Sequence, residues 1–132
     1  MKIVIDILLY LWQLPQNLLG LLLVAVLRPE QSYPFGDAMP MSRLYYASRM
    51  RGGISLGRYL IVASCYKDYN GRTEAHELGH YWQSLFLGPL YLFVIGIPSL
   101  VWAAVWRPGG RRDYYQFYTE AWADKLGGVE RC

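Results

Sequence analysis

The chain has 132 residues, a net charge of +3 and a composition that is 54% hydrophobic, 16% aromatic and only 17% charged. One domain of this length buries a modest core, and basic residues without a stripe or a recognisable module argue against nucleic acid as a partner. The low charged fraction, the 5 tryptophans and the 12 tyrosines are typical of a chain whose aromatic rings lie at a membrane interface.

The first predicted element is an apolar helix of 25 residues, 3–27, with Asp6 as its single charge. A helix of this length crosses a hydrocarbon core roughly 30 Å thick, so residues 1–27 are predicted to form a transmembrane anchor helix. Polar or helix-breaking residues interrupt its centre; these are Gln13, Pro15, Gln16 and Asn17. They predict a kink whose polar side faces protein or a wet cavity, or else amides that bond locally to backbone groups freed by the proline.

The polar middle of the chain opens the second predicted unit, residues 28–132. Residues 32–42 are rich in proline and glycine and predict an irregular loop. Residues 52–64, GGISLGRYLIVAS, are rich in β-branched and large apolar side chains and predict a strand or a tight strand pair.

A helix is predicted after the turn signal Asn-Gly at residues 70 and 71. Asn70 or Thr73 can cap it, and it continues through His76 and His80.

A second apolar stretch, residues 84–106, has 23 residues and no charge. Its length suits one membrane crossing, but Gly88-Pro89 and Gly96-Ile97-Pro98 interrupt it, and proline inside a helix forces a bend. The alternative is a hairpin of two legs of about ten residues, each about 15 Å long, which reaches halfway across a bilayer.

The last predicted element is a helix from about Asp113 to Leu126, stopped by the Gly-Gly pair at 127–128. Together the elements predict an α+β fold, in which a short strand pair and two helices form a minimal unit with apolar membrane helices attached. The two cysteines, Cys65 and Cys132, form no C-x-x-C pair and are predicted to be unpaired thiols in a reducing compartment.

Both histidines of the chain, His76 and His80, lie in the motif His-Glu-Leu-Gly-His. Residues i and i+4 share one face of a helix, so the two imidazoles can bind one zinc ion. Glu77 then lies beside the open position of the metal, where it can take a proton from water that the metal has activated. The alternative is a pair of helical histidines satisfied by ordinary polar contacts.

A catalytic zinc ion needs a third protein ligand, which here has to be a carboxylate, a cysteine or a tyrosine because no further histidine exists. Glu120 and Asp124 are also four residues apart on one predicted helical face. Glu120 is predicted to ligate zinc, and Asp124 to accept a hydrogen bond from a ligand histidine and so fix its tautomer. The alternative is a solvated pair of charges on an amphipathic helix.

The motif H-E-L-G-H, followed downstream by E-x-x-A-D-x-L-G, resembles the gluzincin metallopeptidases. The resemblance is strongest to the integral-membrane group that contains the CAAX prenyl proteases and the bacterial heat-shock membrane protease. It implies one zinc ion per chain, bound by His76, His80 and Glu120. It also implies that Glu77 is the general base and that Asp124 supports a ligand from the second layer.

The resemblance covers roughly residues 52–126 of a chain far shorter than the larger members, which have two helices where this chain has one broken apolar segment. It places the sequence GISLGRYLIV where such enzymes keep the edge strand that pairs with an extended substrate. This chain has no histidine near the glutamate motif to stabilise an oxyanion. The candidate donors are instead Tyr81, Tyr114, Tyr115 and Tyr118.

Zinc ligands lie within about 2 Å of one ion, so His80 and Glu120 have to emerge on the same side of a membrane. Residues 84–106 are therefore predicted to make an even number of crossings, most simply as a re-entrant or interfacial hairpin. The alternative is a fully soluble fold with both apolar stretches in its core, which is a large excess of uncharged sequence for so small a core.

The basic residues predict the orientation, since Lys2 alone precedes the first apolar stretch and the other 12 of the 13 Lys and Arg residues follow it. The positive-inside bias favours a cytoplasmic catalytic part, and the resemblance implies a bacterial inner membrane. The expected partners are membrane lipid and a peptide or membrane-protein substrate. A homo-oligomer is also expected, since so small a chain has a shallow pocket and a second copy would complete the substrate cleft.

The predicted function is a membrane-anchored, zinc-dependent endopeptidase. One alternative is a small membrane protein in which zinc staples two helices without catalysis, with Cys65 or Cys132 as a fourth ligand. The other is an adaptor that binds a partner helix through its aromatic surface and holds no metal.

Overall fold

The structure is a computed structural model that describes residues 1–34, 42–106 and 113–129. Its architecture is α+β, as predicted, with a four-stranded mixed sheet and five α-helices in these ranges. The helices are α1 (Lys2–Trp12), α2 (Leu14–Leu27), α3 (Arg72–Leu87), α4 (Ile97–Val105) and α5 (Tyr118–Gly127). The strands are β1 (Gln31–Pro34), β2 (Arg43–Ala47), β3 (Gly53–Leu56) and β4 (Tyr59–Ala63).

The sheet has the order β1-β2-β4-β3, in which β2 and β4 are parallel and the other pairs antiparallel. The predicted strand pair over residues 52–64 is confirmed as the β3–β4 hairpin, where Leu56 pairs with Tyr59. Gly57 occupies the turn at φ 62°, a conformation that glycine adopts without strain. β3 is an edge strand of the sheet.

The irregular loop predicted over residues 32–42 is wrong at its start, because β1 includes residues up to Pro34. Residues 35–41 of that loop lie outside the described residues. Sequence reasoning also misses β2, although its alternate side chains Leu44 and Tyr46 point into the core. There they pack with Leu60 and Val62 of β4 and Tyr81 of α3.

The first apolar stretch forms two helices rather than the predicted single anchor helix. α1 and α2 meet at a bend of 88°, because Pro15 in the first turn of α2 has no N–H with which to continue α1. This bend is the predicted kink. The side-chain amides of Gln13, Gln16 and Asn17 lie at it and are buried in protein.

The bend at Gln13 is held by hydrogen bonds to distant parts of the chain. Gln16 Nε2 donates to Ser84 Oγ at 2.9 Å and to the carbonyl oxygen of Gly88 at 2.8 Å. Asn17 Oδ1 accepts from the backbone N–H of Arg58, in the β3–β4 turn, at 2.8 Å. Asn17 Nδ2 also donates locally, to the carbonyl of Tyr10, so the distant and the local alternative both occur.

The second apolar stretch folds back on α3, so that the helical segments Arg72–Leu90 and Leu92–Val105 are bent by 119°. The bend lies at Gly88-Pro89, with φ 55° at Gly88. Gly96-Ile97-Pro98 does not break the chain direction, since the π-helical turn Leu92–Gly96 continues into α4 and Pro98 lies in its first turn. The hairpin therefore has the end of α3 as its first leg.

The apolar helices of residues 1–34 and 42–106 are short. No single helix there is both long and apolar enough to cross a membrane; the two bent pairs, α1–α2 and the folded-back segment from α3 to α4, meet the length and composition requirement only when each pair is taken together.

The two helices that carry the motifs are both present. α3 begins with Gly71 as its N-cap residue, so neither Asn70 nor Thr73 occupies the cap position, although Asn70 Oδ1 accepts from the N–H of Arg72 at 3.0 Å. The helix predicted from Asp113 begins five residues later as α5, because a 3₁₀ turn precedes it. It ends as predicted, with Gly128 in the left-handed conformation.

Candidate metal centre

The site lies where α3 packs against α5 at backbone contact. A side-chain carbon on Gly79 would lie 1.8 Å from the carbonyl oxygen of Ala123, and one on Gly127 would lie 2.0 Å from that of Ala75. These glycines allow an approach that any larger residue prevents. The short distance between the helices brings the side chain of Glu120 to the histidine face of α3.

Three buried side chains converge as the sequence predicts: His76 and His80 from α3, and Glu120 from α5. Glu120 Oε2 lies 2.7 Å from His76 Nε2 and 3.0 Å from His80 Nε2. The three ligand atoms all lie within 4.8 Å of one another. One carboxylate oxygen and two imidazole nitrogens therefore face a single point.

This donor set fits a divalent metal ion of the zinc type. Ligand atoms bound at about 2 Å in a tetrahedron lie roughly 3.3 Å from one another, and the distances from Glu120 Oε2 to His76 Nε2 and His80 Nε2, 2.7 Å and 3.0 Å, lie within about 0.6 Å of that value. Two imidazoles and one carboxylate are a common set of protein ligands for catalytic zinc, because they leave a fourth position open. The residues present thus fit the ion that the sequence motif predicts.

The Nδ1 atom of each imidazole, which faces away from Glu120, also has a hydrogen-bond partner. Asp124 Oδ1 lies 2.7 Å from His76 Nδ1, which is the supporting role predicted for Asp124. Gln83 Oε1 lies 2.6 Å from His80 Nδ1, and Gln83 Nε2 donates to the carbonyl of Thr119 at 3.0 Å. Both Nδ1 atoms thus carry the proton, so that in a neutral ring each Nε2 is free to bind a metal. Sequence reasoning misses Gln83, although its spacing of three residues from His80 places it on the same face of α3.

The electrostatics of the group follow from these contacts. Burial alone lowers the pKa of His76, but the hydrogen bonds to Glu120 and Asp124 and the charge of Glu77 outweigh it and raise that pKa to about 9. Burial alone would raise the pKa of Glu120, yet hydrogen bonds from His76 and His80 hold it well below its usual range. Without a metal the site is therefore a network of charged hydrogen bonds.

Glu77 stands beside this network without belonging to it. It is only 4% exposed, and its Oε2 atom has no hydrogen-bond partner among the described residues. Burial raises the pKa of its carboxyl group, although the charges of His80 and His76 partly oppose this. Gly53 of β3 covers the carboxylate closely, since a side-chain carbon there would lie 2.6 Å from Glu77 Oε1.

The apolar helix α4 is joined to the metal ligand. Ser99 Oγ donates to Glu120 Oε1, which leaves Oε2 as the oxygen that faces the histidines. Trp102 Nε1 donates to the carbonyl of Tyr114 at 2.8 Å, and the Trp102 ring stacks on Phe117. No sequence motif identifies Ser99, because its role depends on the fold-back at Gly88.

A cavity of about 500 Å³ opens onto the site. Its wall next to the ligands includes β3 and α3, and much of the remainder is formed by apolar side chains of α2 and α4. The residues that line this apolar part include Leu19, Leu22, Leu23, Val26, Ile97 and Leu100. The site can therefore admit an apolar chain up to the carboxylate of Glu77.

Of the four tyrosines predicted as oxyanion donors, Tyr114 and Tyr115 line the cavity. The Tyr115 ring meets His76 edge to face at 5.3 Å between centroids, and burial, with the nearby charges of Glu120 and Glu77, raises the pKa of Tyr114 so that it keeps its proton. Tyr81 is buried in the core cluster, and Tyr118 donates to the carbonyl of Val94.

The cysteines stand apart from this site as far as the structure describes them. Cys65 is an exposed free thiol and is not a member of the ligand group. Cys132 lies outside the described residues.

Comparison with known proteins identifies no relative: no protein-family model, no curated protein and no solved structure matches the chain.

Proposed function

We propose that the chain is a membrane-associated, zinc-dependent endopeptidase. The observation that carries this proposal is the convergence of His76, His80 and Glu120 beside the buried carboxylate of Glu77. A site that only stabilises the fold has no need of a further buried carboxylate beside its ligands, with one oxygen that lacks a partner among the described residues. A proton carrier at this place is what hydrolysis requires.

When bound by these three side chains, zinc would supply a Lewis acid that polarises a peptide carbonyl and lowers the pKa of water. Glu77 accepts a proton from the attacking water and passes it to the leaving amine. Because burial raises the pKa of Glu77, its carboxyl group both takes and returns a proton more readily near neutral pH. Asp124 and Gln83 keep the two ligand imidazoles in one tautomer and one orientation.

The membrane part of the proposal is supported by the apolar outer faces of the helices. Large hydrophobic side chains that do not line the cavity are exposed on α1, α2 and α4, among them Ile3, Leu8, Leu21, Val101 and Val105. Patches of this kind mark contact with lipid or with another protein. We propose that these helices lie in a bacterial inner membrane and that the metal centre faces the cytoplasm, where the positive-inside bias places it.

The test is the change Glu77→Gln, in purified protein loaded with zinc. We expect the variant to retain about one zinc ion per chain, since the ligands are unchanged, and to lose hydrolysis of a quenched fluorescent apolar peptide. Glu74→Gln is the matched control, one turn earlier on α3, because Glu74 is an acid with one buried oxygen that lacks a partner among the described residues but does not line the cavity. Cleavage by Glu77→Gln at the parental rate would refute the mechanism.

The second candidate function is a structural zinc site that links α3 to α5 and does not catalyse a reaction. It is favoured by the fact that the same ligands already link the two helices through buried hydrogen bonds. The two candidates differ in the measurement above. A stapling site gives tight zinc binding and a large loss of stability on chelation, with no hydrolysis by the parent protein.

A further inference from the structure

Like Glu77, Ser55 is a buried polar residue that lines the cavity and is not one of the three metal-ligand candidates. It lies on β3 and lines the cavity, and its residue is 3% exposed. Its hydroxyl has no hydrogen-bond partner among the described residues. Buried hydroxyl groups in native proteins nearly always have a partner, so this one indicates a ligand that enters the cavity.

The position of Ser55 on the strand relates it to Glu77. Alternate side chains of a strand point to the same face, so Ser55 shares a face with Gly53. Gly53 is in direct contact with the Glu77 carboxylate, since a side-chain carbon added there would lie 2.6 Å from Oε1. Two residues along a strand are about 6.6–6.8 Å, which places the hydroxyl roughly that far along β3 from the carboxylate.

The backbone at the same position is already in use. The carbonyl oxygen of Ser55 accepts a hydrogen bond from the Tyr91 hydroxyl at 3.0 Å. Tyr91 is buried and comes from the segment that follows the Gly88 bend. A substrate that pairs fully with this edge would therefore have to displace Tyr91, whereas Tyr91 forms no hydrogen bond with the Ser55 hydroxyl.

The two unpartnered groups fit an extended peptide. In an extended chain the main-chain groups repeat every two residues, again about 6.6–6.8 Å. A peptide with one amide next to Glu77 thus presents a second main-chain group next to Ser55. Its side chains would then meet the apolar wall formed by α2 and α4.

We infer that Ser55 is a substrate-binding residue, whose hydroxyl donates a hydrogen bond to a main-chain carbonyl of an extended peptide, two residues from the amide at Glu77. The peptide carries large apolar side chains where it crosses the α2–α4 wall. This inference rests on the proposed function, because it takes the amide at Glu77 as the one that is cleaved.

The experiment measures binding separately from cleavage. The full chain with Glu77→Gln, loaded with zinc in detergent, is titrated into a neutral decapeptide of leucine and alanine that carries fluorescein, and anisotropy is recorded. Adding Ser55→Ala is expected to weaken binding by roughly five- to tenfold, the effect of one lost hydrogen bond. Zinc content and thermal midpoint should not fall, because the hydroxyl has no partner within the described protein to lose.

Two further variants make the result specific. Ser55→Cys keeps the shape with a weaker donor, so its affinity is expected between those of serine and alanine. Ser48→Ala removes a hydroxyl that donates to Glu30 on the exposed surface, and it should leave peptide affinity unchanged.

Each outcome decides the assignment. Equal peptide affinity for the Glu77→Gln parent and for its Ser55→Ala variant overturns the assignment of Ser55. Failure of this parent to bind the peptide also overturns it. So does a loss of zinc or of folding in both Ser55 variants. If the wild-type chain cleaves peptides but peptide affinity does not depend on Ser55, only the proposed role of Ser55 is refuted. If affinity depends on Ser55 and the wild-type chain cleaves nothing, the role of Ser55 stands and the peptidase proposal falls.

Discussion

At the residue scale, Glu77 is buried in a way that folding alone does not favour. Its Oε2 atom lies in the protein without a hydrogen-bond partner among the described residues, and burial raises the pKa of the group. A buried, unpaired carboxylate lowers the free energy of unfolding. Such costs are characteristic of functional sites, where activity and stability make opposite demands.

The zinc-free protein should therefore gain stability from Glu77→Gln, which keeps the shape and removes the charge. We expect a gain of about 1 kcal/mol or more at pH 7, the lower end of the cost of an unsatisfied buried group. Because the folded pKa is raised, the carboxyl group contributes fully to stability below its unfolded value near 4.5, and this contribution is lost as the pH rises through the folded value. The gain should thus shrink towards pH 4.

Urea unfolding of both proteins in chelator, at pH 4 and at pH 7, measures this difference. Equal free energies of unfolding at pH 7 would mean that the Glu77 carboxylate is compensated by its surroundings, contrary to the explanation above.

Gln83 gives a second prediction at this scale. Gln83→Leu removes the acceptor that fixes the His80 tautomer, so zinc affinity should fall by about 10- to 100-fold, as for other residues behind metal ligands. Competition against a chromogenic chelator gives the affinity. Gln116→Leu, the same change at an exposed position just before α5, is the control. Unchanged zinc affinity in Gln83→Leu would show that His80 does not need this support.

At the scale of elements, the convergence of His76, His80 and Glu120 depends on how closely α3 approaches α5. Gly79→Ala would place a carbon 1.8 Å from the Ala123 carbonyl, so the helices must move apart. We expect a loss of about 1–3 kcal/mol in the free energy of unfolding, as for other overpacked sites, together with weaker zinc binding. Gly52→Ala meets nothing within 4 Å and should be neutral.

Thermal unfolding with and without zinc tests the Gly79 prediction. A Gly79→Ala protein with parental stability and zinc affinity would mean that the helix contact adjusts without moving Glu120.

The elements that the sequence predicts well are those set by local patterns. The spacing of His76, His80, Glu120 and Asp124 identifies two helix faces without any knowledge of the fold. The β3–β4 pair likewise follows from a run of β-branched and large apolar residues, and the kink before Pro15 follows from a missing N–H.

The elements that the sequence misses depend on contacts between distant segments. β2 is a strand because it pairs with β4, and β3 lies between these two strands along the chain. Nothing within the five residues of β2 requires that partner. Ser99 and Ser55 gain their positions only after the chain reverses at Gly88 and the sheet is complete. Ordinary serines in a sequence carry no sign of such roles.

At the scale of the whole molecule, the exposed apolar helices predict binding to lipid. Phe93 is 71% exposed, and neither it nor Val101 lines the cavity, so both can change without disturbing the site. The double variant Phe93→Lys and Val101→Lys should lose flotation with phospholipid vesicles, because charges at these positions would have to enter hydrocarbon. Its stability in detergent should change by less than about 0.5 kcal/mol.

Tyr69→Lys, at a similarly exposed aromatic residue in the turn before α3, serves as the control and should float with the vesicles. If the double variant floats as well as the parent, the outer faces of α4 and its preceding turn do not meet lipid, and another molecule has to cover them.

The hydrogen bonds at the N-terminal bend also determine when the molecule can be completed during synthesis. Gln16 finds its partners 68 and 72 residues further along the chain. At about 5–20 residues per second, a ribosome needs roughly 3 to 14 seconds to deliver them. During that time the first two helices form an apolar segment in which the Gln16 amide lacks its native partners, Ser84 and Gly88.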